Sequence, residues 1–511
     1  MNPPIKIYLI CILICSLTTS LHPTLGAATR RGGYPVAPVG KNVLPVEERE
    51  YISIKIPTYL GNNYRRFYGK GPVPKKLKII WKKFVGGGKT RVRKKIQKWY
   101  GTGWPGQGIL IEKNSTLYVL FGSYNYCLWK LNANTGKTIW KHPFNNIIKG
   151  TPTVWKKNVI CGSRADFFEN KRPQKIKNLR CINILTGSKL WSWGIPCSDS
   201  YSRDADATGI ILNDLLYIGA ENGVLYKIDP DQKKKPKIIS SLKLYTAEDV
   251  KNHKNNIVIE SYPVQIEKNI YITAGSGHVY GIDFENMKII WDFFIGSDIN
   301  STPVVTYNNH IIFGIEKQYI QGNGGVFNLD PAKKESECVN WFFPVGDKKF
   351  GEWEGGIIGS VSINDEYNQE GKYPALAASS AIDGNIYVVT QKELLDELTL
   401  GPDGKTKYRC PRLVWKKEIG PSISTPIFID NYLITCSYSG KVQIFEINVS
   451  TNVPEENTET YKTINGENCI VKINEVASIS LGGSIESTPV VWENKIFIGS
   501  RNGYFYCLGE N

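Results

Sequence analysis

The sequence predicts an all-β fold, an eight-bladed β-propeller of four-stranded antiparallel blades. Three observations predict it: a unit that recurs along the chain, short alternating apolar runs within each unit, and a tryptophan near the end of many outer strands. The 511 residues include 48 glycines and only two methionines, which favours short strands and tight turns over helix bundles.

The recurring unit opens on a Ser/Thr-Pro entry, continues through an apolar strand and a glycine turn, and then forms further short strands. The last copy is the cleanest and runs from Ser487 to Leu508. Further entries lie at or near these positions: Gly106, Thr151, Asp206, Ser261, Ser301, Gly359 and Ser424. Eight entries predict eight blades, because one such sheet cannot bury both its faces until copies surround an axis.

The eighth copy stops without a Trp-ended outer strand. A matching strand, residues 77–83 with Trp81, stands near the other end of the chain. We expect this N-terminal strand to complete the last blade and close the ring.

The sequence Asn134-Thr135-Gly136-Lys137, followed by Trp140, and the Ser-Thr-Pro-Val-Val entry at Ser487 resemble pyrroloquinoline-quinone-like repeats. This superfamily contains quinoprotein alcohol dehydrogenases and non-enzymatic relatives such as the bacterial outer-membrane assembly propeller. The resemblance covers about residues 77–511. It implies that tryptophans dock neighbouring blades, namely Trp81, Trp140, Trp191, Trp291, Trp341 and Trp415.

The N-terminus predicts a signal peptide over residues 1–27, since Lys6 precedes the apolar run 7–17 and small residues follow. The apolar run is shorter than the roughly 20 residues that a spanning helix needs. Residues 28–76 are expected to form a partly irregular extension, and residues 77–511 the propeller. We therefore expect an exported protein, periplasmic or secreted, with no membrane span.

The nine cysteines after the predicted signal peptide are scattered, which does not indicate a disulfide framework. The sequence still allows one or two disulfide bonds, and Cys161 and Cys181 are candidate cross-strand neighbours. There is no Cys-x-x-Cys to indicate a zinc ribbon or a c-type haem.

The net charge is +16, which would attract anionic partners unless it only reflects lysines spread throughout. The densest basic cluster, residues 89–98, is expected to be a solvated loop, and no nucleic-acid motif accompanies it. We expect a monomer.

The loops that enter the inner strands and the turns between second and third strands share one end of a propeller, here called the top face. Acidic residues concentrate there. Asp204 and Asp206 replace the consensus entry, and residues 350–356 are a second departure, so these are the leading candidates for a site. The candidate ligand-binding residues are Arg164, Arg203, Asp204, Asp206, Glu260, His278, Asn300, Lys317, Trp353, Glu354, Glu486 and Arg501. Polar residues where strands begin also form hydrogen bonds with otherwise unpaired backbone groups. A purely structural role for these residues therefore stays open as an alternative.

Two functions fit this face. The first is an exported, non-catalytic scaffold without a cofactor, which binds a protein, peptide or polysaccharide; charge reversal at Asp204 and Asp206 should then abolish binding without unfolding. The second is a dehydrogenase that oxidises an alcohol or sugar with pyrroloquinoline quinone and calcium. Asp204 or Asp206 would be its base, and Asp204, Glu260 and Glu486 its calcium ligands. The family's adjacent cysteines are missing here.

Overall fold

The eight repeats fold into eight antiparallel sheets about one axis, which confirms the predicted propeller. The computed structural model describes residues 52–92, 95–165, 176–452 and 459–510; the predicted signal peptide and the extension up to residue 51 lie outside them. Five strands precede the first blade: β1 (Ile52–Ile56), β2 (Gly69–Lys70), β3 (Lys78–Phe84), β4 (Gly87–Val92) and β5 (Lys95–Tyr100).

The first four blades follow directly, each from the inner to the outer strand. Blade 1 contains β6 (Ile109–Lys113), β7 (Thr116–Gly122), β8 (Cys127–Asn132) and β9 (Thr138–Pro143). Blade 2 contains β10 (Thr153–Trp155), β11 (Asn158–Gly162), β12 (Leu179–Asn183) and β13 (Lys189–Trp193). Blade 3 contains β14 (Ile210–Leu212), β15 (Leu215–Ala220), β16 (Val224–Asp229) and β17 (Lys237–Lys243). After helix α1 (Ala247–Asn252), blade 4 contains β18 (Val264–Ile266), β19 (Asn269–Thr273), β20 (His278–Asp283) and β21 (Lys288–Phe294).

The last four blades keep this order. Blade 5 contains β22 (Val304–Val305), β23 (Ile311–Ile315), β24 (Gly325–Leu329) and β25 (Val339–Pro344). Blade 6 contains β26 (Ser362–Ile363), a 3₁₀ turn (Asp365–Tyr367), β27 (Leu376–Ser380), β28 (Asn385–Leu400) and β29 (Lys407–Glu418). Blade 7 contains β30 (Ile427–Ile429), β31 (Tyr432–Cys436), β32 (Lys441–Ser450), β33 (Tyr461–Lys462) and β34 (Asn468–Ser480). Blade 8 contains β35 (Val490–Trp492), β36 (Lys495–Gly499) and β37 (Tyr504–Gly509).

Strand β3 closes the ring, as predicted. It pairs antiparallel with β37 as the outer strand of blade 8, with Trp81 opposite Cys507. Three blades depart from the expected four strands: β1 pairs with the inner strand of blade 1, β2 pairs parallel with the inner strand of blade 8, and β33 extends blade 7.

The tryptophans join neighbouring blades, as the family resemblance implied. The indole N–H of Trp81 in blade 8 donates to the carbonyl of Ala133 in blade 1 at 2.9 Å. Trp140, Trp191, Trp291 and Trp341 donate in the same way to the next blade along the chain. The ring of Trp415 instead packs edge-on against Phe445 of blade 7 at 4.8 Å.

Residues 52–76 cross the axis of the ring. The hydroxyl of Tyr59 contacts Oγ1 of Thr425 at 2.7 Å, and its side chain is fully buried among the inner strands. Arg65, also fully buried, donates to the carbonyls of Tyr59 at 2.8 Å and Pro263 at 3.1 Å. This segment therefore fills the middle of the propeller with hydrogen bonds to several blades.

The basic cluster at residues 89–98 differs from the expected loop, because β4 and β5 pair as an antiparallel hairpin. Thr90 accepts a hydrogen bond from the guanidinium of Arg164 at 3.0 Å, and the ring of Trp99 packs against Tyr124 at 5.4 Å. These contacts place the hairpin against the top face of blades 1 and 2.

Cys161 and Cys181 lie on adjacent strands but do not form a disulfide. Cys161 pairs with Arg180, one residue out of register with Cys181, so the two thiols lie on opposite faces of the sheet. Cys161 and Cys181 both carry free, buried thiols. No helix among the described residues is long and apolar enough to cross a membrane.

Candidate functional site

A cavity of about 430 Å³ lies on the top face, beside the β4–β5 hairpin. Blade-entry residues and turn residues meet there because both are at the same end of their strands. Those that line it are Lys149, Glu260 and Asn300 at blade entries, and Arg164, Glu221 and Glu316 at turns. The structure thus brings together residues from blades 2 to 5.

Lys149 organises the floor of this cavity. Its Nζ lies 2.5 Å from Oδ2 of Asp206, 3.2 Å from Oε1 of Glu221 and 3.1 Å from Oε1 of Glu260. Burial would lower the pKa of Lys149, but the three carboxylates raise it well above its usual value. Lys149 is therefore a fixed cation that the fold holds by charge pairing.

A second buried pair supports this network. Nε of Arg164 lies 2.5 Å from Oδ2 of Asp204, whose Oδ1 accepts from the backbone N–H of Ala165 at 2.6 Å. Asp204 and Asp206 are each 1% exposed. Charge reversal at either residue would bury an unpaired cation beside Arg164 or Lys149 and cost several kcal/mol. We therefore expect charge reversal at these positions to lower stability, so a loss of binding in such variants has to be measured alongside their folding.

The carboxyl groups of Asp298 and Glu316 form a separate acidic pair. Asn256 donates to Oδ2 of Asp298 at 2.7 Å, and Asn300 donates to Oε1 of Glu316 at 2.7 Å. In the described ranges neither carboxyl has a salt bridge. Burial and the charge of Glu221 raise the pKa of Asp298 to about 7, and burial beside Asp298 raises that of Glu316 well above its usual value.

Aromatic side chains form the opposite wall. The rings of Trp104 and Trp353 stack with centroids 6.3 Å apart, and Nζ of Lys149 lies 4.8 Å from the Trp104 ring. Trp99 also lines the cavity. An adjoining cavity of about 860 Å³ shares these three tryptophans and is bordered by Glu486 and Arg501. The two cavities form one cleft, called here the top-face cleft.

Several predicted site residues lie elsewhere. Among the described residues, Arg203, Asp204, Asp206, His278, Lys317 and Glu354 are not in the lining of either cavity. His278 contacts Asp292 at 2.6 Å near the outer edge of blade 4, and Lys317 pairs with Asp347. Glu486, a predicted calcium ligand, instead pairs with Arg501 at 2.5 Å. It therefore belongs to a different part of the cleft from Glu260.

Sequence reasoning missed Trp99, Trp104, Tyr319 and Asp298. The first two follow the basic cluster, and their aromatic character beside it was the available signal. Nothing in the sequence indicated that the hairpin folds back over the propeller. Asp298 stands two residues before the Asn300 entry and reaches the cavity only because the loop curls inward.

The spacing of Trp104 and Trp353 does not fit a quinone stacked between their two rings. A planar ring between Trp104 and Trp353 needs a separation of about 7 Å, twice the usual 3.5 Å contact, and their centroids are 6.3 Å apart. Asp204, Asp206 and Glu221 form a group of metal-ligand size, with ligand atoms within 4.8 Å of one another. Lys149 and Arg164 already form salt bridges with all three of these acids.

The fold and this cleft define a repeat β-propeller with an aromatic and acidic cleft on its top face. The sequence model of a family described as outer membrane protein assembly factor BamB matches residues 78–336, about half of the chain, and the chain belongs to this family of pyrroloquinoline-quinone-like repeat propellers. No curated protein matches the sequence.

Three solved structures are similar to this chain. A quinohemoprotein alcohol dehydrogenase from Comamonas testosteroni has 10% identity and a TM-score of 0.54, over 89% of this chain and 81% of its own. BamB from Moraxella catarrhalis has 12% identity and a TM-score of 0.46, over 72% and 99%. The computationally designed Ika8 protein has 12% identity and a TM-score of 0.49, over 77% and 93%. At these identities the likeness concerns the fold alone.

Proposed function

We propose that this protein is an exported, non-catalytic scaffold whose top-face cleft binds a segment of a partner protein. The observation that carries this proposal is the shape and composition of the cleft. Two adjoining cavities of about 430 and 860 Å³ share a wall of tryptophans, and their charged groups come from several rigid blades. Together the two cavities exceed the roughly 300–1,000 Å³ typical of a small-molecule site, so the cleft has room for a peptide segment.

The paired charges of the cleft support a binding function over a catalytic one. Lys149, Arg164 and Arg501 are each paired with carboxylates, so these three cations of the cleft are held in salt bridges. Paired groups of this kind orient a ligand and exclude wrong ones without exchanging protons with it. The rigid ring presents them on loops, where binding sites commonly occur.

One observation favours the dehydrogenase as a second candidate. Asp298 is buried beside the cavity with its pKa raised to about 7, a value suited to a general base at neutral pH. Pyrroloquinoline quinone with calcium chloride, added to the purified protein, distinguishes the two candidates. We expect no change in the melting temperature. A rise of several degrees, lost in Asp298→Asn, would support the dehydrogenase instead.

Selection of phage-displayed random dodecapeptides tests binding in the cleft directly. We expect peptides that bind the wild-type protein and lose at least tenfold in affinity for Trp353→Ala. Phe294→Ala is the matched control, because Phe294 is an exposed aromatic residue, 56% accessible, on the outer strand of blade 4. Peptides that bind both variants equally, or no enrichment in a folded sample, would contradict the proposal.

A further inference from the structure

Carboxyl groups on and beneath the floor of the top-face cleft outnumber the cations that pair with them. Six carboxyl groups gather there: Asp204, Asp206, Glu221, Glu260, Asp298 and Glu316. Two cations pair with this group. Lys149 and Arg164 form salt bridges with the first four of these acids. Asp298 and Glu316 have no salt bridge in the described part of the chain. A chain with a net charge of +16 therefore gathers more carboxyl groups than paired cations at one buried place.

The unpaired hydrogen-bonding groups at this place are all acceptors. Oδ1 of Asp298, Oδ1 of Asn256 and Oδ1 of Asn300 have no donor among the described residues, although all three residues line the cavity. Asp298 is 5% exposed and Asn256 is 9% exposed. A buried acceptor left unpaired costs about 1–3 kcal/mol, so a ligand that brings N–H donors recovers that cost.

The arrangement favours an organic cation over a metal ion. In the described residues, the one group of acids compact enough for a metal is Asp204, Asp206 and Glu221, which Lys149 and Arg164 engage. Asp298 and Glu316 stand outside that group and face a cavity of about 430 Å³ with aromatic walls. Aromatic faces attract ammonium and guanidinium groups.

Lys149 itself shows how such a cation is held. Its ammonium group contacts three carboxylates and lies 4.8 Å from the centre of the Trp104 ring. Asp298, Glu316 and Tyr319 repeat the same combination of acid and aromatic side chains on the other side of the cavity, without a cation of their own from the described residues.

We propose that this half of the cavity receives the side chain of a lysine or arginine from the partner segment. The inference rests on the proposed function and makes it more specific: the segment that enters the cleft carries a basic anchor. Its ammonium or guanidinium group pairs with Asp298 and Glu316 and donates to the unpaired amide oxygens. Its alkyl stem packs along the aromatic wall.

The experiment uses the selected dodecapeptides on the full propeller. We expect every Trp353-dependent family of peptides to share one lysine or arginine. In a synthetic peptide, citrulline at an arginine anchor keeps the shape and removes the charge, and should weaken binding at least tenfold in isothermal titration. Glu316→Gln should weaken the arginine peptide at least tenfold and the citrulline peptide less than threefold. Glu337→Gln, at an exposed acid outside the cavity lining in blade 5, should change neither.

The outcomes separate the two proposals. Trp353-dependent peptides without a shared basic residue, or citrulline peptides that bind equally well, would overturn the basic anchor and leave a cleft that binds peptides. Calcium chloride that displaces the arginine peptide from wild type at equal concentration would show a metal site in its place. The absence of any Trp353-dependent peptide would overturn both proposals. Circular dichroism melting confirms that each variant is folded.

Discussion

The indole ring of Trp81 covers Gly136, and this contact joins the last blade to the first. Gly136 has φ +67°, and a Cβ built there would lie 2.8 Å from the ring. Gly187 meets Trp140 in the same way between blades 1 and 2. At both of these blade interfaces, the glycine of the Thr-Gly turn therefore packs against the tryptophan of the preceding blade.

Gly136→Ala should destabilise the protein more than a backbone effect explains. The left-handed conformation alone costs about 1–2 kcal/mol for an L-residue, and crowding against Trp81 adds about 1–3 kcal/mol. Gly482→Ala is the matched control, since Gly482 has φ +71° and no atom within 4 Å of its added Cβ. Equal unfolding free energies in urea for the two variants would show that this blade interface tolerates the methyl group.

Lys149→Met should be strongly destabilising. It leaves Asp206, Glu221 and Glu260 buried without their shared cation, at a cost of about 3–5 kcal/mol. The loss should be smaller at pH 5 than at pH 8, because protonation can then neutralise some of the three acids. Lys254→Met removes an exposed lysine from the same cavity lining and should change stability by less than about 0.5 kcal/mol. A Lys149→Met protein as stable as the control would argue against the charge network.

Asp298→Asn should stabilise the protein at high pH. The folded-state pKa of Asp298, about 7, lies above its ordinary value of 3.8, so the unfolded chain releases this proton first as the pH rises. The favourable contribution is complete below about pH 4 and is lost between about pH 4 and 7. The variant should therefore exceed wild type by roughly 1–4 kcal/mol at pH 8 and match it near pH 4.

Urea unfolding at the two pH values measures this difference. Asp396→Asn, at an exposed position on β28, is the control and should show no pH-dependent gain. A gain for Asp298→Asn that is the same at both pH values would mean that the pKa of Asp298 does not differ between the folded and the unfolded state.

Arg65→Lys should destabilise the protein by about 2–3 kcal/mol, although it keeps the charge. The guanidinium reaches carbonyls of Tyr59 and Pro263 at the same time, and one ammonium group cannot replace that fork. Burial also lowers the pKa of Arg65 to about 9, which shows how costly its charge is there. Arg409→Lys, on the exposed face of β29, should leave the melting temperature within a degree. A similar result for Arg65→Lys would show that residues 52–76 contribute little to stability.

The sequence by itself determined the ring. The repeat period, the alternation of apolar residues in the strands and the recurring tryptophans fix the number of blades. The eighth copy has no Trp-ended outer strand, which identifies the N-terminal strand with Trp81 as its replacement. These features are local or repeat along the chain, so they can be recognised without knowing any distance. The short connector before blade 4 shows the same point, because Thr246 caps helix α1 with Asp249 in a capping box that depends only on neighbouring residues.

Only the tertiary structure decided the cleft. Topology placed Arg164, Glu260 and Asn300 on one face, but their partners depend on loops that curl over the ends of the blades. The hairpin that carries Trp99 and the axis-crossing segment that carries Tyr59 both lie before the first repeat and follow no periodic rule. Salt bridges such as Lys149 with Glu260 join residues 111 positions apart, and their formation depends on distances of a few ångströms that no sequence pattern encodes.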